Sequence, residues 1–121
     1  MTLRRCVRIM DLRDDPATLA ACDRAHMVGQ TPVEIVAAQH RHGIAEMEIF
    51  RVGNRLVMLM DVTDAFDPDG LNAERAVQDV IDRWHLRMAE YQRPPFADGV
   101  AWPEARRVFR QSDHLTAMET I

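Results

Sequence analysis

Gly43-Ile44-Ala45-Glu46-Met47-Glu48-Ile49-Phe50-Arg51-Val52-Gly53-Asn54-Arg55-Leu56-Val57-Met58-Leu59-Met60-Asp61 places two strand-length apolar runs on either side of Val52-Gly53-Asn54-Arg55. Gly and Asn are the residues that accept positive φ, so this stretch predicts a β-hairpin. Ile49 stands beside Met47, and Leu56-Val57-Met58-Leu59-Met60 is apolar without alternation, which predicts strands buried on both faces.

Upstream, Thr31-Pro32-Val33-Glu34 carries a Thr cap, a Pro in the first helical position and a Glu that would complete a capping box. The helix it opens should run through Val36 and Ala37 to about His42, with Gly43 as the left-handed residue that ends it. Asp15-Pro16 opens an earlier helix, from about Ala17 to Met27. Before it, Cys6 to Leu12 reads as a strand. Downstream, Thr63 to Asp69 is a polar loop closed by Pro68-Asp69-Gly70. Val77, Val80, Ile81, Trp84 and Met88 recur at helical steps within a long helix from Leu71 to about Tyr91, which Arg93-Pro94-Pro95 stops. The chain is then irregular to Trp102-Pro103. Arg106 to Arg110, centred on Val108-Phe109, is a short candidate strand, and the tail from Gln111 has no periodicity and is expected to be mobile.

The resulting order, β-α(α)-β-β-α-β, is that of an α+β, ferredoxin-like split βαβ: an antiparallel sheet with helices on one face. The other face must meet either the segment after Tyr91 or a second copy of the chain, and a homodimer is expected. The 121 residues, 47% hydrophobic and 28% charged, suit one globular domain over 1–121 that needs no staples. The 15 basic residues are scattered and outnumbered by 19 acids, so nucleic acid is not an expected partner. The apolar stretch near the N-terminus is broken by Arg8 and ends at Asp11, too short for a signal core or a membrane span; no membrane association and a cytoplasmic address are expected. Cys6 and Cys22 fit no paired pattern and read as reduced thiols.

A Gly-rich phosphate loop, G-x-S-x-G, H-E-x-x-H and paired-Cys zinc motifs are all missing, and no cofactor or metal is expected. His40-x-His42 cannot chelate from one helix face and suits a solvated, dipole-compensating place at a helix end. Cys22 and His26 share a helix face at i, i+4; the pair reads either as nucleophile and base or as a half-buried helix side. Glu48 is a carboxylate in an otherwise apolar strand, which implies either work in a site or a partner such as Arg51 or Arg55.

The pattern of a helix ending in His-Gly, then I-x-x-M-E-I-F/Y-R-V-G-N-R-L-x-M-x-M-D/E, resembles the small aldose mutarotases of the L-rhamnose mutarotase family, especially the branch described as L-fucose mutarotases. The resemblance runs from Cys6 to Phe109 and is strongest in the hairpin and in Trp84…Met88…Tyr91-Gln92. It implies a dimeric α/β-barrel on the ferredoxin-like fold. In that family the first helix carries a Tyr and, four residues later, a His that donates a proton. His26 matches the His, and Cys22 stands where the Tyr would be. A second substrate-contacting Tyr falls on Met47, which the M-E-I-F/Y branch has natively, and a Trp-Trp pair on the last helix falls on Trp84-His85. The usual W-P-E becomes Thr31-Pro32-Val33-Glu34, at a longer spacing.

The resemblance thus implies an isomerase that interconverts α and β anomers of a monosaccharide without cofactor. Ring opening takes a proton to the ring oxygen and another from the anomeric hydroxyl, work that suits a histidine. Aromatic side chains suit the C–H face of a sugar and the methyl of a 6-deoxy-L-hexose. His26 is therefore the catalytic candidate, Trp84 a stacking platform or a core residue, and Trp102 a loop-borne lid or a dimer anchor. His85, Met47, Cys22 and Glu48 complete the candidate substrate contacts. L-fucose stands ahead of L-rhamnose on the hairpin wording and Met47. The same scaffold also hosts cofactor-independent monooxygenases, and the Cys at position 22 leaves room for a non-catalytic sugar-binding module.

Overall fold

A computed structural model describes residues 2–119. The elements run β1 (Arg4–Leu12), α1 (Pro16–Ala25), α2 (Val33–Arg41), β2 (Ile44–Val52), β3 (Arg55–Val62), α3 (Pro68–Asn72), a 3-10 turn (Arg75–Val77), α4 (Gln78–Tyr91), β4 (Gln92–Arg93) and α5 (Gln111–Glu119). The sheet is antiparallel in the order β2-β3-β1-β4, which is the expected ferredoxin-like α+β arrangement.

The hairpin closes on the pair Val52↔Arg55. Gly53 supplies the positive φ of +55°, whereas Asn54 does not adopt positive φ and ties the turn to β1 instead. Its carbonyl accepts from Leu12 N–H at 2.7 Å, and its side-chain amide donates to the Leu12 carbonyl at 3.1 Å. At the other end of β2 the register slips between Ile44↔Val62 and Glu46↔Asp61, so Ala45 is the extra residue of a β-bulge, which re-aims its neighbours. Gly43 ends α2 at φ +98°, and a Cβ there would lie 2.5 Å from Phe66 Cα, so close approach as well as the turn demands glycine.

Alternation divides the sheet into two faces. Cys6, Met10, Leu12, Leu56, Met60 and Val62 point to one side and are no more than 5% exposed. Cys22 and Ala25 of α1, Ile35 and Ala38 of α2, and Ile81 and Met88 of α4 are buried with them. Each such Leu, Ile, Val or Met side chain stabilises the fold by roughly 1.5–3 kcal/mol, and the Ala side chains by less. The opposite face carries Val7, Ile9, Val57 and Leu59, half-buried, with Phe50 51% exposed. The directly opposed pairs Arg5–Asp61, at 3.0 Å, and Arg55–Asp11, at 2.7 Å, rim it. The expectation that both faces are buried therefore fails within one chain, because the buried residues of α1, α2 and α4 all join the first face.

Several local expectations are corrected. The Thr31 capping box does not form: α2 starts after Pro32 with no side-chain cap, and the Thr31 hydroxyl donates to the Ala25 carbonyl at 2.8 Å, satisfying the end of α1. Part of the segment read as loop is the helix α3, capped by Asp67 through Gly70 N–H at 3.0 Å. The long helix begins at Gln78, not Leu71. The fourth strand is Gln92–Arg93, not Arg106–Arg110: Val108 is 89% and Phe109 66% exposed in an unpaired stretch. Residues 103–105 instead run along the same edge of β1, through Ile9 N–H to the Pro103 carbonyl and Ala105 N–H to the Val7 carbonyl. The segment from Gln111 is the helix α5, with no buried residue.

Candidate active site

A cleft of about 1110 Å³ opens between the helix-facing side of β2 and β3, the end of α1, α2 and α4. Most of its wall is apolar, including Met47, Ile49, Met58, Ile81 and Met88, and a few polar groups interrupt it. Such walls suit a small molecule with both apolar and hydroxylated surface. His26, Trp84, His85, Met47 and Trp102 all line it. Cys22 and Glu48 do not.

His26 closes α1 as its C-cap residue. Its Nδ1 lies 2.8 Å from the carbonyl oxygen of Cys22, one turn back. A carbonyl only accepts, so Nδ1 carries a proton in this contact, and in the neutral ring Nε2 is the nitrogen with a lone pair for a ligand. The Cys22 sulfur is farther off, 3.8 Å from Nδ1. Burial pushes the Cys22 thiol above the ordinary range, and Asp23 adds to this against the pull of Arg51. The Cys22 side chain is also closed off, at 2% exposure, and does not line the cleft, so the geometry does not support the nucleophile–base reading of Cys22 and His26. Cys22 packs with Leu12 and Leu56 instead.

α1 is fastened to the hairpin by Arg51, whose Nε and Nη2 donate to the two Asp23 oxygens at 2.8 and 2.7 Å. Arg51 thereby holds the Asp23 carboxyl below the usual range. Arg55 is taken by Asp11, so neither arginine pairs with Glu48. Register puts Glu48 opposite Leu59, on the face away from the cleft, and it is exposed. The alternation Glu46-Met47-Glu48-Ile49 already carried this signal, with the two carboxylates on one face and the two apolar side chains on the other.

Trp84 is half-buried on α4, with its ring 5.4 Å from that of His26 at 81°. The Arg87 guanidinium lies over the same indole, 5.9 Å from its centroid. Trp102 reaches the cleft from the segment after β4 and packs against the cluster of Leu12, Cys22 and Leu56. Its φ of +53° is the single positive value among the described non-glycine residues, a conformation costing about 1–3 kcal/mol that surrounding bonds must hold.

The cleft also contains polar residues that were not site candidates on sequence. Glu46, exposed and opposite Asp61 just past the Ala45 bulge, is the carboxylate among the lining residues, and its side chain accepts Met47 N–H at 3.0 Å. His40 also lines it, with Nδ1 3.3 Å from the Ile44 carbonyl, and Gln92 enters from β4. His42 turns away to Glu74, at 2.6 Å, and Arg41 meets the same carboxylate. Arg41 above all, with His42 assisting, holds Glu74 below the usual range. The two histidines, two residues apart at the end of α2, therefore face different partners. Among the described residues no group of three His, Cys, Asp or Glu side chains is placed to hold a metal.

The sequence model of the L-rhamnose mutarotase family matches residues 5–111. A protein of Xanthomonas campestris pv. campestris described as L-fucose mutarotase is 38% identical over 121 residues, covering 98% of this chain and 97% of its own length. Among solved structures, tetracenomycin F2 cyclase from Streptomyces glaucescens, a type-II polyketide cyclase, is similar over 88% of this chain and 95% of its own, with 18% identity and a TM-score of 0.48.

Proposed function

The chain belongs to the L-rhamnose mutarotase family, and from that premise we propose that it interconverts the α and β anomers of a 6-deoxy-L-hexose, L-fucose ahead of L-rhamnose, with His26 as acid and base. Membership makes the chain a carbohydrate mutarotase, an isomerase. The observation that carries the catalytic assignment is the Nδ1 contact of His26 with the Cys22 carbonyl, which leaves Nε2 unused on a cleft wall beside Trp84. The preference for L-fucose rests on the Xanthomonas relative.

In this reading Nε2 takes the proton of the anomeric hydroxyl as the bond from C1 to the ring oxygen breaks, and the ring oxygen takes a proton from water or from a polar group of the wall. The open-chain aldehyde turns about its C1–C2 bond and presents its other face. The ring hydroxyl then adds to C1 and returns its proton to the water or wall group that supplied it, while the imidazolium returns a proton to the new anomeric oxygen. Trp84 would carry the C–H face of the sugar, and the apolar side chains of Met47, Ile49 and Met58 suit its methyl group. His85, Glu46, His40 and Gln92 are among the wall groups available for its hydroxyls. Cys22 serves this site from behind, by holding His26. We further propose one domain over 1–121 that works as a homodimer, its second copy covering the half-exposed face of Val7, Ile9, Phe50, Val57 and Leu59. Two unpaired cysteines fit a reducing, cytoplasmic setting. Among the described residues no helix is long and apolar enough to cross a membrane.

The test is exchange NMR on L-fucose, L-rhamnose and ordinary aldoses. The protein should speed exchange between anomeric protons, most strongly for L-fucose; no acceleration with any sugar would end the proposal.

A further inference from the structure

Arg8 is a cation in an unusual place. It stands mid-strand on the helix-facing side of β1, between Cys6 and Met10, which are 2% and 1% exposed. Across the sheet its row continues through Met58 and Ile49, both in the cleft wall. The neighbouring arginines have carboxylates: Arg4 has Glu104 at 3.9 Å and Arg5 has Asp61 at 3.0 Å. Arg8 has no carboxylate within ion-pair distance among the described residues. Its hydrogen bond goes to main chain, from Nη1 to the carbonyl oxygen of Trp102 at 3.2 Å in a part-buried setting. A partly desolvated guanidinium is costly unless its donors are used, so this bond is its structural reason for being there.

The same carbonyl belongs to the residue whose backbone is left-handed. Immediately after it, Ile9 N–H to the Pro103 carbonyl (3.2 Å) and Ala105 N–H to the Val7 carbonyl (2.7 Å) hold residues 103–105 along β1. Those bonds anchor the chain beyond Trp102 but do not determine how the Trp102 peptide turns. The turn aims a carbonyl inward, where it needs a donor, and Arg8 supplies it. We propose that Arg8 is a positioning residue: it holds the Trp102 peptide in the left-handed turn that lays the indole on the cleft wall, so that substrate affinity depends on a side chain that does not touch substrate. The proposal rests on the reading of the cleft as a sugar site.

Arg8→Met keeps the length of the aliphatic stem and removes the donors, and Arg8→Lys restores one donor without the fork. In protein labelled with 5-fluorotryptophan, the 19F resonance lost in Trp102→Phe reports on Trp102, while that of Trp84 is an internal control for folding. Arg8→Met should shift or broaden the Trp102 resonance alone. It should also raise the sugar concentration for half-maximal anomer exchange by about tenfold at nearly unchanged maximal rate, a loss of stacking contact rather than of chemistry. Arg8→Lys should recover part of both effects. A folded Arg8→Met with an unmoved Trp102 resonance overturns the positioning role, and a moved resonance with unchanged half-saturation overturns its consequence for affinity. The resonance is read without sugar, so the positioning claim can fail or stand even if the protein exchanges no anomers, which would be a failure of the sugar-site reading.

Discussion

The rings of His26 and Trp84 stand almost perpendicular, 81° between their planes, with centroids 5.4 Å apart. This contact joins the end of α1 to the middle of α4 and places an imidazole and an indole on one wall. The imidazole is held from behind by its own helix, through the Cys22 carbonyl, so ligand contact and structural support use different ring atoms.

His26→Asn and His26→Ala should therefore slow anomer exchange by at least about a hundredfold while the fold persists, as expected for loss of a general acid–base group. Exchange NMR with circular dichroism on the same sample checks this, and near-native exchange in a folded variant would remove His26 from the mechanism.

Trp84 is half-buried and in the cleft wall, so Trp84→Phe should weaken sugar binding several-fold while the midpoint of thermal unfolding hardly moves. If the indole were mainly core, the same change would lower stability by about 1–2 kcal/mol and leave affinity alone. Measuring the midpoint and L-fucose affinity in one buffer separates the two.

Cys22 predicts an alkaline weakness. An unfolded thiol ionises near about pH 8.5, whereas burial first, then Asp23, keep this one protonated to higher pH. Below the unfolded value both states hold the proton and the contribution is complete; as pH rises from there through the folded value the unfolded state loses its proton first and stability falls. Urea unfolding between pH 7 and 10 should show a decline that Cys22→Ala flattens, and equal slopes for the two proteins would refute the linkage.

The face bearing Val57 and Leu59 predicts assembly. The native chain should sediment as a dimer at micromolar concentration, and Leu59→Asp, which puts a charge at the centre of that face, should give a folded monomer. A native monomer by light scattering would overturn the dimer.

The hairpin, the Asp15 cap of α1 and the Gly43 stop were legible because each is a local rule: Gly53 takes the positive φ of a two-residue turn, the Asp15 carboxylate accepts Thr18 N–H at 2.8 Å, and Gly43 is left-handed. The capping box at Thr31 obeyed the same local grammar and failed, since the end of α1 claimed the hydroxyl first. Arg106–Arg110 had strand composition, yet Gln92–Arg93 took the edge of β1 immediately after α4 and residues 103–105 filled the rest of it. Candidate strands compete for edges that composition does not reveal.

Sequence alone determined the order of elements from β1 to β3, the family resemblance and, through that resemblance, the candidacy of His26, Trp84, Met47, His85 and Trp102 for one site, because hydrophobic period, turn chemistry and motif spacing are properties of neighbours along the chain. Tertiary structure alone decided that the Ala45 bulge sends Ile44 and Glu46 to opposite faces, that His40 enters the cleft while His42 turns to Glu74, and that Arg8 underlies Trp102. A single-residue bulge reverses which side of a sheet a side chain meets, and a hydrogen bond between β1 and a segment far along the chain leaves no periodic trace; both depend on which strand lies beside which.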